Sequence, residues 1–262
     1  MNIEDYLNRI GYKGSLTPDL AVLKNLQTAH LYTVAFENLD IHYQNDIILD
    51  IDNFFQKIII DKRGGFCYEL NGLFQNLLLM IGYNAKLISA RVYNEKDGNF
   101  GKEYDHLAII VRIDEVEYLV DVGFGEFSLI PLKIELNTIQ NDSRANYIIE
   151  AYKNDYLLIS KLNGSGKKPI YIFTKTARKL SEFAEMCIYH QNNPNSHFTQ
   201  KKIISKPTKN GRISIAGNVI KITENGKIVK ETEFEEDTFE KYLKKWFNVV
   251  VFKKPGQNIH PS

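Results

Sequence analysis

The tightest constraint on this chain is the run Arg63-Gly64-Gly65-Phe66-Cys67-Tyr68-Glu69-Leu70-Asn71-Gly72-Leu73-Phe74. Two glycines free the backbone immediately before a cysteine, and a periodic apolar run starts straight after it. Leu70, Leu73, Phe74, Leu77, Leu78 and Ile81 fall on one face of a helix, and Gly82 stands where such a helix stops. Cys67 is thereby predicted in the first turn of a buried helix, where unpaired backbone N–H groups favour a thiolate. Read without chemistry, the same residue is a small apolar side chain opening a core helix, because free cysteine is among the most buried residue types.

A helix N-terminus alone is a weak activator. It contributes at most about 2 kcal/mol, enough to carry a free thiol from about 8.5 to about 7. A nucleophilic cysteine therefore needs a base and a group that orients the base. His106–Ile113 and Val116–Val122 read as two strands separated by Asp114-Glu115. With a two-residue turn Ile113 pairs with Val116, and the same register sets His106 opposite Gly123. Asp121 then lies diagonal to His106 on the same face, within side-chain reach. A carboxylate among Leu119, Val120 and Val122 needs a buried partner. Two readings stand at this point: a structural His–Asp hydrogen bond in a buried sheet, or a base held by its orienter.

The remaining histidines are weaker candidates. His30 ends a helix, and His42, His190 and His260 lie in polar surroundings with no carboxylate in register. His197 sits in a surface loop, Ser196-His197-Phe198-Thr199. Arg63 is expected to meet a buried carboxylate such as Glu37 or Glu69, or to be solvated. With two cysteines, Cys67 and Cys187, neither a disulfide framework nor a cysteine zinc site is suggested, and Cys187 reads as core packing. No metal-ligand spacing occurs. Gly123-Phe124-Gly125 lacks the lysine of a P-loop and the context of a dinucleotide fingerprint.

Before the Cys67 run the chain reads as helical: a short amphipathic turn ending at Gly11, a helix capped by Thr17 with Pro18 first, and a third capped by Asp50 or Asp52. Val34–Leu39 shows no clear periodicity. After Gly82 the pattern turns to strands, Lys86–Tyr93, the His106 hairpin, Tyr147–Tyr152, Tyr156–Leu162 and Pro169–Thr174, an antiparallel barrel or curled sheet. A short helix at Ser181–Tyr189 and a polar connection, Gln191–Thr199, precede strands at Ile213–Ala216, Val219–Thr223 and Ile228–Glu233. A helix on Phe239, Tyr242, Leu243, Trp246 and Phe247 closes the chain. Composition shifts near 83 and 190 divide it into residues 1–83, 84–190 and 191–262.

The net charge of +1 conceals an asymmetry: residues 1–160 carry 14 basic against 23 acidic side chains, and residues 161–212 carry 11 against 2. The basic segment is a solvated surface or a receiver of a phosphorylated ligand. Nucleic acid is not indicated, since the basic residues form no dense run and no binding motif accompanies them. No apolar run approaches a membrane span, and the polar start Met1-Asn2-Ile3-Glu4-Asp5 is unlike a targeting peptide, so a cytoplasmic protein is expected.

The Arg63–Asn71 run, His106-Leu107 and Val120-Asp121-Val122-Gly123-Phe124-Gly125 together closely resemble the arylamine N-acetyltransferases. Val34–Leu39 is similar to that family's segment near the N-terminus, and Ser196–Thr199 followed by Gly211-Arg212 to its later one. Ala35 departs from the pattern, standing where the family usually has proline. The resemblance covers the whole chain in order. It implies an α+β fold with a thiol-protease-like core: a helical bundle bearing the cysteine, a β-barrel bearing histidine and aspartate, and an α/β lid. It also implies the triad Cys67, His106 and Asp121 and ping-pong transfer from acetyl-coenzyme A to an arylamine or hydrazine. Phe36, Phe124 and Phe198, with Val92, would line the acceptor pocket, and Gly123, Gly125 and Ser196 would lie along the coenzyme A path. The same order of Cys, His and Asp also occurs in transglutaminase-like and papain-like enzymes, so an amidase, a protease, an amide synthase and an inactive aromatic-binding scaffold are the alternatives.

Overall fold

The first helices begin where a side chain can satisfy backbone N–H groups that lack a partner. The Asn2 side chain accepts from the Glu4 N–H at 2.8 Å to open α1 (Ile3–Ile10), and Asp19 accepts from the Val22 N–H at 2.8 Å to open α2 (Leu20–Thr33). Thr17 was the expected cap of α2, but its hydroxyl is engaged by Ser15 and the carboxylate two residues on takes the position. The computed structural model describes residues 1–164 and 166–252; His260 and the rest of 253–262 lie outside the described residues. Strand β1 (Phe36–Glu37) lies in the stretch in which no periodicity was visible, and the short α3 (Leu39–His42) follows from its last residue. Asp50 caps α4 (Ile51–Phe55), which widens into a π-helical turn over Gln56–Ile60.

Helix α5 (Cys67–Ile81) starts at the cysteine and ends at Gly82, as the periodicity predicts. Leu70, Leu73, Phe74, Leu77 and Leu78 on it are fully buried. Each contributes about 1.5–3 kcal/mol, enough to carry the polar Glu69 and Asn71 into the interior on the same helix.

The barrel follows: β2 (Asn84–Asn94), β3 (Asn99–Phe100), β4 (His106–Ile113), β5 (Val116–Val120), β6 (Leu132–Lys133), β7 (Ile139–Asn141), β8 (Asn146–Ala151), β9 (Leu157–Asn163) and β10 (Gly166–Phe173). Its antiparallel strands run β6-β5-β4-β2-β10-β9-β8-β7, with β3 on the end of β2. The β4–β5 register is the expected one, Ile113 opposite Val116 through Ile109 opposite Val120. Alternation along the strands separates two cores. Leu87, Ile109 and Val111 face the helices, while Ile88, Ala108 and Ile110 face the barrel interior with Tyr147, Tyr171 and Phe173. This two-sided burial is why the strands read as apolar throughout. The barrel's seam between β6 and β7 is bridged by one side chain: Gln140 accepts from the Lys133 N–H at 2.7 Å and donates to the Lys133 carbonyl at 2.8 Å.

After a 3-10 turn, α6 (Ala184–Asn192) and α7 (His197–Gln200) lead to a second antiparallel sheet, β11 (Ile203–Thr208), β12 (Gly211–Ala216), β13 (Val219–Glu224) and β14 (Lys227–Glu233), covered by α8 (Phe239–Phe247). Its outermost strand is β1 from the first third of the chain, with Phe36 opposite Ser205. No described helix is long and apolar enough to cross a membrane.

His30, read as an unremarkable helix end, is fully buried, with Nδ1 2.8 Å from the Tyr6 hydroxyl. Burial, aided by the Arg9 charge, lowers it to about 3. Its folded value therefore lies below the unfolded one, about 6.5. The unfolded chain gains the proton first as pH falls, and stability drains away from about pH 6.5 down to about 3. Urea unfolding should show His30 costing about 2 kcal/mol between pH 7 and pH 5. His30→Leu should flatten that slope, and an unchanged slope would refute the assignment.

Candidate active site

The start of α5 is held by two devices. Gly64 and Gly65 run beside β1, the Gly65 N–H donating to the Ala35 carbonyl at 3.2 Å and the Glu37 N–H to the Gly65 carbonyl at 2.8 Å. A Cβ on Gly64 would lie 2.2 Å from the Ala35 carbonyl oxygen, so no other residue fits without moving backbone. Beneath them is a buried ion-pair cluster. Arg63 meets Glu37 at 2.7 Å and Asp40 at 3.0 Å, while Lys57 meets Asp40 at 2.7 Å and Glu69 at 2.8 Å. Burial alone would raise the Asp40 carboxyl, but Lys57 and Arg63 outweigh it and hold it at about 2. Of the two partners expected for Arg63, Glu37 is the one it takes. Glu69 instead accepts from the Phe66 N–H at 2.8 Å and closes the first turn of the helix.

His106 Nε2 lies 2.7 Å from Asp121 Oδ2. Both side chains belong to the interior face of the barrel, as the register requires. Asp121 is fully buried and five donors converge on it. Oδ1 accepts from Asn71 Nδ2 at 2.8 Å, the Gly123 N–H at 2.9 Å and the Phe124 N–H at 3.0 Å; Oδ2 accepts from His106 and from the Tyr171 hydroxyl at 3.2 Å. An ionised carboxylate is acceptor-only and satisfies all of them, which assigns the ring proton to Nε2 and leaves Nδ1 uncommitted to the pair. The edges and faces of Phe124 and Tyr171, with ring centres 5.3 and 5.5 Å away, fix the imidazole plane.

Asn71 joins this pair to the cysteine helix. It lies one turn after Cys67, on the same side of α5. The β4–β5 ladder ends at Ile109 and Val120, and two positions further the same register would set Leu107 opposite Val122. Asn71 inserts its amide there, donating to the Leu107 carbonyl at 2.6 Å and accepting from the Val122 N–H at 2.8 Å. The side chain thus stands in for a missing rung while its Nδ2 also reaches Asp121. Gly123 completes the contact, since a Cβ there would come 2.8 Å from the Cys67 carbonyl oxygen and 2.9 Å from its Cα.

Cys67, His106, Phe36, Val92, Gly123, Phe124, Gly125 and Phe198 border one cavity of about 250 Å³, together with Asp105, His197, Ile203 and Ser205. Nine of the ten predicted site residues thus converge, Asp121 lying just behind His106. Ser196 stands apart: it is buried, caps α7 by accepting from the Phe198 N–H, and sits 3.2 Å from His190 Nδ1. His190 itself is not in polar surroundings. It is buried among the rings of Phe66, Tyr68, Tyr189 and Phe198, with Nε2 3.3 Å from the Asp105 carboxylate. The strand register gave no sign of this, because helix α6 supplies the histidine.

Cys67 is 3 % exposed. Burial pushes it well above its ordinary value, the charges of Cys187, Asp105 and Asp121 push the same way, and the Leu107 N–H pulls back. Desolvation thus works against the helix start, which the sequence already marks as a weak activator that needs a base.

A family model described as N-acetyltransferase matches residues 19–255. The chain is similar to a chicken (Gallus gallus) arylamine N-acetyltransferase, pineal gland isozyme NAT-10, at 30 % identity over 97 % of this chain and 96 % of the relative. The chain belongs to the arylamine N-acetyltransferase family, and it is an acetyltransferase. A Mycolicibacterium smegmatis arylamine N-acetyltransferase is 29 % identical over 86 % of this chain and 84 % of its own length. Among solved structures, the arylamine N-acetyltransferase from Salmonella typhimurium shares the fold with a TM-score of 0.91 at 22 % identity, covering 98 % of this chain and 94 % of that one. That from Mycobacterium marinum in complex with CoA has a TM-score of 0.87 at 26 % identity, covering 95 % and 93 %. The expected α+β architecture of helical bundle, barrel and C-terminal sheet is the fold of these arylamine N-acetyltransferases.

Asn71→Ala deletes three hydrogen bonds and strands the Leu107 carbonyl and the Val122 N–H. Urea unfolding should show a loss of about 2–4 kcal/mol, whereas a surface asparagine would cost under about 0.5 kcal/mol.

Proposed function

We propose that this chain transfers acetyl groups from acetyl-coenzyme A to arylamines or hydrazines by a ping-pong reaction through acetyl-Cys67. The observation that carries this reading is the shared cavity: the thiol of Cys67 and an imidazole held by Asp121 border one space of about 250 Å³ walled by Phe36, Phe124 and Phe198. An apolar cavity of about 150 Å³ takes benzene, so the volume suits an aromatic acceptor. The Mycobacterium marinum relative solved with CoA supports the thioester donor.

The steps follow from the groups present. His106 Nδ1 takes the Cys67 proton, and the thiolate attacks the thioester carbonyl. The Cys67 N–H, free at the helix start, stabilises the oxyanion. The carbon–sulfur bond to coenzyme A breaks, and the departing thiolate takes the proton from His106. The acceptor amine then attacks acetyl-Cys67, His106 removes its proton and returns it to the Cys67 sulfur, and the N-acetyl product leaves. Asp121 fixes the tautomer throughout, and Asn71 and Tyr171 fix Asp121.

Intact-mass spectrometry after mixing with acetyl-coenzyme A should show one added acetyl group, absent from Cys67→Ala. Acetylation of Cys187 instead, or no acetyl-enzyme, would overturn the proposal. Because burial raises the Cys67 thiol, its ionisation near neutrality rests on His106. Iodoacetamide should alkylate Cys67 in the native chain at pH 6, and His106→Gln should move that reaction to alkaline pH. Equal pH profiles would show that His106 is not the base.

A further inference from the structure

Asp105 stands next to the base and has no part in the steps above. It borders the Cys67 cavity together with His106, and its side chain is 19 % exposed, so a ligand can reach it. Successive residues of a strand face opposite ways. Asp105 escapes that alternation because it precedes β4, and Tyr104 before it is in the left-handed region at φ 64°. The bend brings two neighbouring side chains to one space.

The carboxylate is held from outside the cavity. Its Oδ2 accepts from the Val92 N–H at 3.3 Å, and its Oδ1 lies 3.3 Å from His190 Nε2. The Ser196 hydroxyl accepts from the Phe198 N–H and lies 3.2 Å from His190 Nδ1. With the hydroxyl proton directed at Nδ1, the ring proton stands on Nε2 and points at Asp105. A Cβ on Gly101 would lie 2.3 Å from Oδ2, so any larger residue there would push the carboxylate aside.

Both of these contacts are long, and an ionised carboxylate has about four acceptor positions, so capacity for another donor remains. Among the described residues no lysine or arginine lies within ion-pair distance of Asp105. His106 is committed to Asp121. His197, the other ring at this cavity, packs on Phe198 and is lowered chiefly by desolvation, so it brings no charge at pH 7. A carboxylate on an aromatic-walled space without a cation of its own is matched best by a ligand that brings one. We propose that Asp105 selects the acceptor by charge, binding a cationic nitrogen carried on the ring of the arylamine and turning away acceptors that carry an anion. This rests on the acetyl-Cys67 reading and names the acceptor class within it. His190 is a positioning residue, acting only through the carboxylate it holds.

The test uses acceptors of one shape and three charges: aminobenzamidine, aminobenzamide and aminobenzoate, each as the 3- and the 4-amino isomer. The ratio of kcat/KM for the amidine to that for the benzoate is compared between the native chain and Asp105→Asn, which cancels the intrinsic reactivity of each amine. Asp105→Asn should lower that ratio by about tenfold or more, the range of a charge-assisted hydrogen bond. Asp105→Glu should restore part of it. His190→Gln should lower it too, and a native ratio there would take His190 out of the assignment. Calorimetry with benzamidine, which has no reacting amine, gives a readout independent of turnover: binding to the native chain, weakened in Asp105→Asn, and weaker still for benzoate on the native chain. A ratio unchanged by Asp105→Asn in both isomer series, or benzamidine binding indifferent to it, overturns the assignment while leaving acetyl-Cys67 standing. Failure of acetyl-coenzyme A to acetylate Cys67 would instead remove the reading beneath it.

Discussion

One amide side chain holds this site in register. Asn71 takes the place of the rung that Leu107 and Val122 would have formed, and its third hydrogen bond seats the Asp121 carboxylate. Helix and hairpin are joined by bonds with fixed directions, in addition to apolar contact that tolerates sliding. An error of one ångström between nucleophile and base is expensive in rate. A buried, fully satisfied polar network is the means by which a fold specifies such a distance. The contact of Gly123 with the Cys67 backbone does the same from the other side, since nothing larger than hydrogen allows the approach.

Charge in this interior follows the same logic. The cluster of Glu37, Asp40, Lys57, Arg63 and Glu69 lies under the first turn of α5, where it fixes the glycines that bring Cys67 beside β1. Such a cluster contributes little net stability against an apolar equivalent, while removing one member leaves an unpaired buried charge. Its value lies in position: the carboxylates reach the backbone of Phe66 and Leu39, and thereby the geometry of the turn that carries the thiol. The thiol itself is buried, and desolvation, with the charges of Cys187, Asp105 and Asp121, disfavours its ionised form.

Much of this was legible in the sequence because two periodicities were strong. The apolar face from Leu70 to Ile81 marked α5 to the residue, and a two-residue turn at Asp114-Glu115 set a register that places His106 and Asp121 on one face. What escaped notice lacked a period. Strand β11 contains Ser205, Lys206 and Pro207, so it reads as a loop, and it exists because β1 and β12 supply its neighbours. Strand β1 has two residues, too few to show alternation. The cap of α2 moved from Thr17 to Asp19 through a local competition between Ser15 and the helix for one hydroxyl. Asn71 carried a sequence signal, its spacing of one helical turn from Cys67, but its function depends on where a ladder stops. His190 gave none, since its partner Asp105 approaches it from another element.

The pairing of Phe36 with Ser205 has a consequence for how the molecule comes to exist. This part of the wall of the Cys67 cavity is built by strand partners separated by more than half the sequence. Contacts of such separation carry the largest loop-closure cost and form late. During synthesis the helices and barrel can be assembled with a buried cysteine while the sheet that completes the pocket is still being made. The wall of the Cys67 cavity at Phe36 and Ser205 therefore closes only once β11 has been made.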